Sequence, residues 1–270
     1  MSALLALLLT TAPTPAAGVN PACEGAEQFY ADDDLQAAHM LNYFSLAASY
    51  SPLHGPVPQE PGHGTIGLEL AGVPPLSCER RLALGGSKTE DTNKTPVIPR
   101  PRLSFTLPSD GHLVGYGSLG YIPPVTIFGT RNVILSIDAG LSWRFDSGWQ
   151  SGLRFHATLM KTIGDIATAF DLDDLAYTDL YLGSSFGGDL LLGRAWDRVT
   201  PYAAVGITDV STFFYIGDDG VVQNNADPFA GVVASVGVQA RPWKRLELAA
   251  EFYTAPGYVY TGRLMVGWGI

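Results

Sequence analysis

The chain has 270 residues, a formal net charge of -10, and charge on only 16% of its residues. The acidic balance argues against nucleic acid as a partner. The lack of any run of about eighteen apolar residues argues against a transmembrane helix, whereas 31 Gly and 12 each of Tyr and Phe suit membrane-crossing strands with polar atoms on one face.

Residues 1–18 read as a signal peptide. Leu4 to Leu9 are nearly all Leu, and small residues and prolines follow through Gly18. Cleavage after Ala16 or Gly18 fits a small-x-small site, although a basic leading segment is absent because the first Lys or Arg is Arg80. Asn20-Pro21-Ala22 before Cys23 is a poor lipidation site. Cys23 and Cys78 fit one disulfide in an oxidising compartment; two free buried thiols are the alternative. Residues 19–62 form a separate unit. Asp32-Asp33-Asp34 precedes Leu35, Met40, Leu41, Phe44 and Leu46, as at a helix N-terminus. Pro52, Pro56, Pro58 and Pro61 turn the rest into an extended linker. This unit either plugs a barrel or lies in the periplasm.

From about residue 63, apolar and polar residues alternate. The apolar faces are Ile66, Leu68, Leu70; Leu103, Phe105, Leu107; Val133 to Phe145 at odd positions; Leu153, Phe155, Leu159; Leu180, Leu182, Phe186, Leu190, Leu192; Val232, Val236, Val238; and Leu246, Leu248, Phe252. Period-2 alternation marks strands. With a Gly-rich stretch near 112–122 and a strand near 198–214, the pattern predicts ten strands, or eight if 63–107 stays out of the wall. Tight turns fall at 108–111, 145–148, 194–197 and 241–244, and longer links at 73–100, 122–130, 165–176 and 215–227, with Ala255-Pro256-Gly257 breaking the rhythm. Outer-membrane barrels alternate short periplasmic turns with longer outer loops. Both chain ends are then expected in the periplasm.

The last strand has one apolar face, Tyr258, Tyr260, Leu264, Val266, Trp268 and Ile270, and one small or charged face that includes Thr261, Arg263 and Gly267. This resembles the C-terminal strand of bacterial outer-membrane β-barrels, with Ile270 in place of the usual Phe. Pro201-Tyr202-Ala203-Ala204-Val205-Gly206 resembles a strand of small outer-membrane β-barrel families. The resemblance implies an all-β antiparallel transmembrane barrel in the cell outer membrane over 63–270, with lipid and the barrel-assembly machinery as partners. Trp143, Tyr258, Tyr260 and Trp268 are then expected as interfacial aromatics.

The projected inner face collects Asp138, Arg144, Arg154, His156, Asp179, Asp189, Glu247, Glu251 and Arg263. It reads either as a polar passage, with Asp138, Arg154, His156, Glu247, Glu251 and Arg263 as selectivity candidates, or as a salt-bridge network that fills a narrow barrel. Outer-membrane lipases carry a wall His near a Ser, but Phe155-His156-Ala157-Thr158 offers Thr and points His156 inward. No nucleophile, base and orienting group come together, so no catalytic residue is expected. Asp171, Asp173, Asp174, Asp218 and Asp219 lack calcium-loop spacing, and Gly115, Gly117 and Gly120 lack the helix of a phosphate loop, so neither metal nor cofactor is expected. The favoured expectation is a narrow channel or solute-binding barrel. A closed structural or adhesive barrel comes second, and a soluble periplasmic barrel around an apolar ligand third.

Overall fold

The computed structural model describes residues 19–83, 85–89, 95–127, 130–164, 179–216 and 220–270. Residues 1–18, read above as a signal peptide, the 165–176 link and the aspartates at 171–174 and 218–219 lie outside the described residues. The wall consists of β1 Gly64–Gly72, β2 Val97–Thr106, β3 Leu113–Ile127, β4 Thr130–Arg144, β5 Trp149–Gly164, β6 Asp179–Arg194, β7 Val199–Ile216, β8 Ala230–Ala240, β9 Leu246–Ala255 and β10 Val259–Gly269. All pairings are antiparallel, and β10 pairs with β1 from Ala71↔Arg263 to Thr65↔Gly269. Closure gives every wall strand a paired neighbour on both sides, which is the condition for strands in lipid. The ten-strand reading therefore holds, with 64–72 and 97–106 inside the wall.

The expected faces are realised. Ile66, Leu103, Ile137, Leu141, Phe155, Leu190, Val236, Leu264 and Val266 all point outward and are exposed, whereas Ser136, Asp138, Arg154, Asp189 and Arg263 point inward and are buried. An apolar exterior around a polar interior is the outer-membrane type of barrel, the reverse of a soluble ligand-binding barrel. All five Trp residues, Trp143, Trp149, Trp196, Trp243 and Trp268, are exposed and sit at one end. Amphipathic indole rings favour the membrane–water boundary. Residues 107–112, 145–148, 195–198 and 241–245 connect strands at that end. It is the periplasmic end by the rule that links short turns to the periplasm.

Three expectations change. The 122–130 link is mostly strand, since β3 runs to Ile127 and β4 starts at Thr130. Pro123 and Pro124 sit at a register shift between Ile122 and Val125, because a bulge removes the need for the amides proline lacks. Tyr258 does not share the outward face of β10. Gly257, at φ +85, ends the turn, and the Tyr258 ring folds over the loop end onto His39, with centroids 4.8 Å apart. Tyr260, Leu264, Val266, Trp268 and Ile270 keep their outward exposure.

The third change concerns the ends. The helix α1, Asp33–Ala48, starts at an Asp32 cap that accepts from the Asp34 and Leu35 amides. It is buried on nearly all sides from Gln36 to Ala48, as a helix enclosed by protein must be. It lies inside the loop half of the barrel, packed on Val210, Phe229, Val233, Tyr253 and Val259. Residues 49–59 continue, buried, along the lumen to the turn end, where Gly62 and His63 exchange hydrogen bonds with Thr106. The chain thus crosses the barrel once inside before β1 begins. Residues 19–32 lie at the loop end, while Ile270 pairs with Gly64 at the turn end. The two ends of the described chain are on opposite sides, not both periplasmic, because the hydrogen-bonding needs of 47–59 are met only within the lumen.

An epitope tag inserted between Gly25 and Ala26 should bind antibody on intact cells. The same tag at the Asp146-Ser147 turn should need a permeabilised outer membrane. Equal protection of both tags would contradict the threaded path.

Candidate functional site

The lumen is the candidate site, and its centre is a set of four wall arginines around the end of α1. A helix leaves its last carbonyls without intrahelical partners, and prolines further on supply carbonyls but no amide donors. The wall supplies donors. Arg263 on β10 reaches the carbonyls of Ala47 at 3.3 Å and Ser49 at 2.5 Å. Arg100 on β2 takes Ala48 at 2.6 Å, and Arg154 on β5 takes Tyr50 at 2.6 Å. Arg102 on β2 takes Ser51 at 3.0 Å and Pro52 at 2.6 Å. Six successive carbonyls are thereby met. The negative end of the helix dipole also faces positive charge.

Acids on the wall balance these cations. Arg154 pairs with Asp138 at 2.8 Å and with Asp189 at 2.6 Å. Arg102 pairs with Asp138 at 3.3 Å and with Glu69 at 3.4 Å, and Arg263 lies 3.7 Å from Glu69. The Tyr50 ring sits among the guanidiniums, 4.0 Å from that of Arg102 and 5.6 Å from that of Arg154. Charges this deep persist only when paired and hydrogen-bonded.

Below the arginines the wall continues to read the segment's backbone. Glu251 accepts from the Leu53 amide at 3.1 Å and from the Tyr202 hydroxyl at 2.9 Å. Gln239 accepts from the Gly55 amide at 3.0 Å and donates to the Pro58 carbonyl at 2.7 Å. Ser142 donates to the Pro56 carbonyl and Arg241 to that of Pro58. Gly55 is required where it stands, because a Cβ there would lie 2.7 Å from Thr200 Cγ2. Leu53, fully buried, holds φ at +53, a left-handed geometry unfavourable for a branched side chain.

The sequence-derived candidates Asp138, Arg154, His156, Glu247, Glu251 and Arg263 all lie inside the wall and buried. Asp138, Arg154, Glu251 and Arg263 face the inner segment or its wall partners, and Glu247 lines the recess at the turn-end mouth. His156 Nε2 lies 3.6 Å from Asp189 and 3.4 Å from Thr208 Oγ1. Glu247 accepts from Thr65 at 3.1 Å and pairs with Arg241 at 3.5 Å. Arg144, projected inward, is instead at the turn-end rim and donates to the Gly111 carbonyl; its strand ends there. The Asp179 side chain lies outside the described residues. Sequence reasoning missed Glu69, Arg100 and Arg102. Glu69 and Arg102 stood on the polar parity of their strands, whereas Arg100 sits between Pro99 and Pro101, where a strand is not expected.

Among the described residues, two cavities border the inner segment. The cavity between Tyr50, Ser51, Arg154, His156 and Ser235 measures about 10 Å³, room for about one water. Unpaired Ser51 Oγ, His156 Nδ1 and Ser235 Oγ surround it. A recess of about 580 Å³ at the turn-end mouth is lined by Gln59, Glu60, Arg241, Lys244 and Trp268.

The loop end is capped. Cys23 and Cys78 form a disulfide that ties residues 19–32 to the β1–β2 connection beside the short helix α2, Cys78–Arg81. Gln36 donates to the Glu79 and Leu82 carbonyls. Asp33 accepts from the Gly85 amide at 2.9 Å. His39, under this cap and outside the wall strands, stacks on Tyr258 and meets Arg80 at 3.3 Å.

Arg154→Ala leaves Asp138 and Asp189 short of a partner and frees the Tyr50 carbonyl. It should cost about 3–5 kcal/mol, seen as a lower urea midpoint of the refolded barrel. Burial, aided by Arg80, pushes the His39 imidazole down from 6.5 to about 4. The folded pKa is below the unfolded one, so the stabilisation is complete above pH 6.5 and drains as pH falls toward about 4. Lowering the pH from 7 to 4.5 should therefore reduce thermal stability less in His39→Gln than in the parent.

No family model matches the chain, and no curated protein matches its sequence. Solved structures of similar shape include the attachment invasion locus protein Ail of Yersinia pestis, 11% identical with a TM-score of 0.34, covering 78% of this chain and 99% of that one. They include the toluene transporter TodX of Pseudomonas putida, 10% identical with a TM-score of 0.39, covering 90% and 77%. They also include an outer-membrane channel of Pseudomonas putida F1, 11% identical with a TM-score of 0.37, covering 82% and 96%. These likenesses extend to the fold class alone, and the apolar belt and closed ring of this chain make it an outer-membrane β-barrel.

Proposed function

We propose that this protein is an axially closed, non-catalytic outer-membrane barrel whose working surface is its disulfide-tied loop end. The observation that carries this reading is the continuous inner segment, buried from Gln36 through Gln59 apart from the half-buried Phe44, which leaves a cavity of about 10 Å³ beside it. An open solute path of molecular width has no room alongside that segment. The segment's backbone groups are bonded to wall side chains along most of its length. The inner charges then act as the core of the barrel, and the cap formed by residues 19–32, 73–83 and 85–89 is what the barrel holds toward the outside.

A narrow channel remains the second reading, because the contacts between segment and wall are polar and water could replace them. In that case Asp138, Arg154, His156, Glu247, Glu251 and Arg263 would set selectivity after the segment moves. Planar-bilayer recording of the refolded full chain separates the two. The closed reading expects no steady unit current from protein shown to be folded. Steady currents whose size changes when Arg154 and Glu251 are replaced together would overturn it in favour of the channel.

A further inference from the structure

The wall is not equally laced all the way round. Between β2 and β3 the paired residues run only from Thr106↔Tyr116 to Arg102↔Gly120. Beyond them toward the loop end, β2 still pairs fully with β1 through Val97, and β3 still pairs with β4 through Ile127. Five residues of β2, 97–101, therefore have a ladder on one side only.

The cause can be read from the direction of the amides. Thr106 exchanges hydrogen bonds with residues 62 and 63, on the β1 side, whereas the Leu107 amide donates to the Gly115 carbonyl of β3 at 2.8 Å. Backbone groups alternate sides along a strand, so the odd positions of β2 face β3. Two of those positions are Pro99 and Pro101. The facing positions of β3 share the parity of Gly115, and Pro123 is among them, at the start of the bulge. Proline has no N–H, so the donors are missing on both edges of this seam. The seam lies within the apolar belt. Pro101 is opposite Leu68 and Pro99 is opposite Leu70, and both leucines are exposed on the outer face. Unpaired backbone in contact with lipid is strongly disfavoured, which makes this length of wall the easiest to part.

Behind the seam lies an apolar cluster of the lumen. Ile98 and Ile122, inward residues on its two edges on either side of the buried Arg100, pack with Leu41 and Ala48 of α1 and with Ile134 and Met160. We propose that the β2–β3 seam is a lateral port through which a hydrocarbon chain from the bilayer reaches the apolar face of α1. Lipid is what faces the seam at this height, and the cluster behind it offers apolar side chains, whereas the lumen around residues 47–52 offers charge. Entry from the side leaves the axial path closed, so the port and the axial closure fail by different experiments. A bilayer current would leave the port standing.

The test is photolabelling in nanodiscs with phosphatidylcholine carrying a diazirine on its acyl chain, with adducts mapped by mass spectrometry. The parent should carry adducts on Leu41 or Ala48 in addition to outward residues. The double variant Pro99→Val, Pro101→Val restores two donors to the seam. It should lower interior labelling about tenfold or more, as expected of two added wall hydrogen bonds, with outward labelling at Leu68 and Leu103 unchanged. Adducts confined to outward residues in the parent, or interior adducts undiminished in the variant, would overturn the port.

Discussion

A backbone packed into a filled lumen must find its hydrogen bonds in the wall, and this structure depends on how that constraint is met. Residues 47–59 are too rich in proline to satisfy one another. They present a carbonyl at every position and lack an amide at Pro52, Pro56 and Pro58. A wall of carboxylates could not hold such a chain, since ionised carboxylates only accept. Arginine can, because its planar fork of donors stays charged and reaches two acceptors at once. Hence Arg100, Arg102, Arg154 and Arg263 converge on the helix end. The acids Glu69, Asp138 and Asp189 follow as their counter-charges.

The position of the helix has the same origin. An isolated α1 would gain little from the bilayer, being neither long nor apolar enough to cross it. Its acidic start lies at the loop end, where the Asp32 cap satisfies the first amides, and its C-terminal carbonyls point down into the arginines. The loop-end cap then closes over it through the Cys23–Cys78 bond and the Gln36 side chain. Each element fixes the next, so the inner segment serves as the barrel's core and not as a loose insert.

Much of this was legible in the sequence because strand faces follow a local rule. Period-2 alternation alone placed Leu135, Ile137 and Leu141 outward and Asp138, Arg154 and Glu251 inward, and the structure agrees. What could not be read depends on contacts distant in sequence. Nothing near residue 50 says that its carbonyl will meet Arg154, 104 positions away. The threaded path, and with it the opposite placement of the two ends, follows from such contacts. Tyr258 was misread because alternation was carried one residue past a turn that Gly257 makes. Arg100 was missed because the prolines beside it mask a strand from propensity-based reading.

Those same prolines bring the two halves of the structure under one argument. Pro52, Pro56 and Pro58 in the inner segment and Pro99, Pro101 and Pro123 in the wall all remove backbone donors. In the lumen the shortage is made good by side chains, since Arg, Gln and Ser on ten surrounding strands can be aimed at the exposed carbonyls. In the wall it is not, since a seam-facing carbonyl meets only the next strand and, outside, hydrocarbon. The side chains on the seam's two edges are Val, Ile, Pro and Tyr, apart from Arg100, whose reach is committed inward to Ala48. One missing atom type therefore has opposite consequences on the two sides of the sheet. Inside, it selects a ring of cations that locks the segment in place; within the wall, it leaves a length of β2 held to one neighbour only.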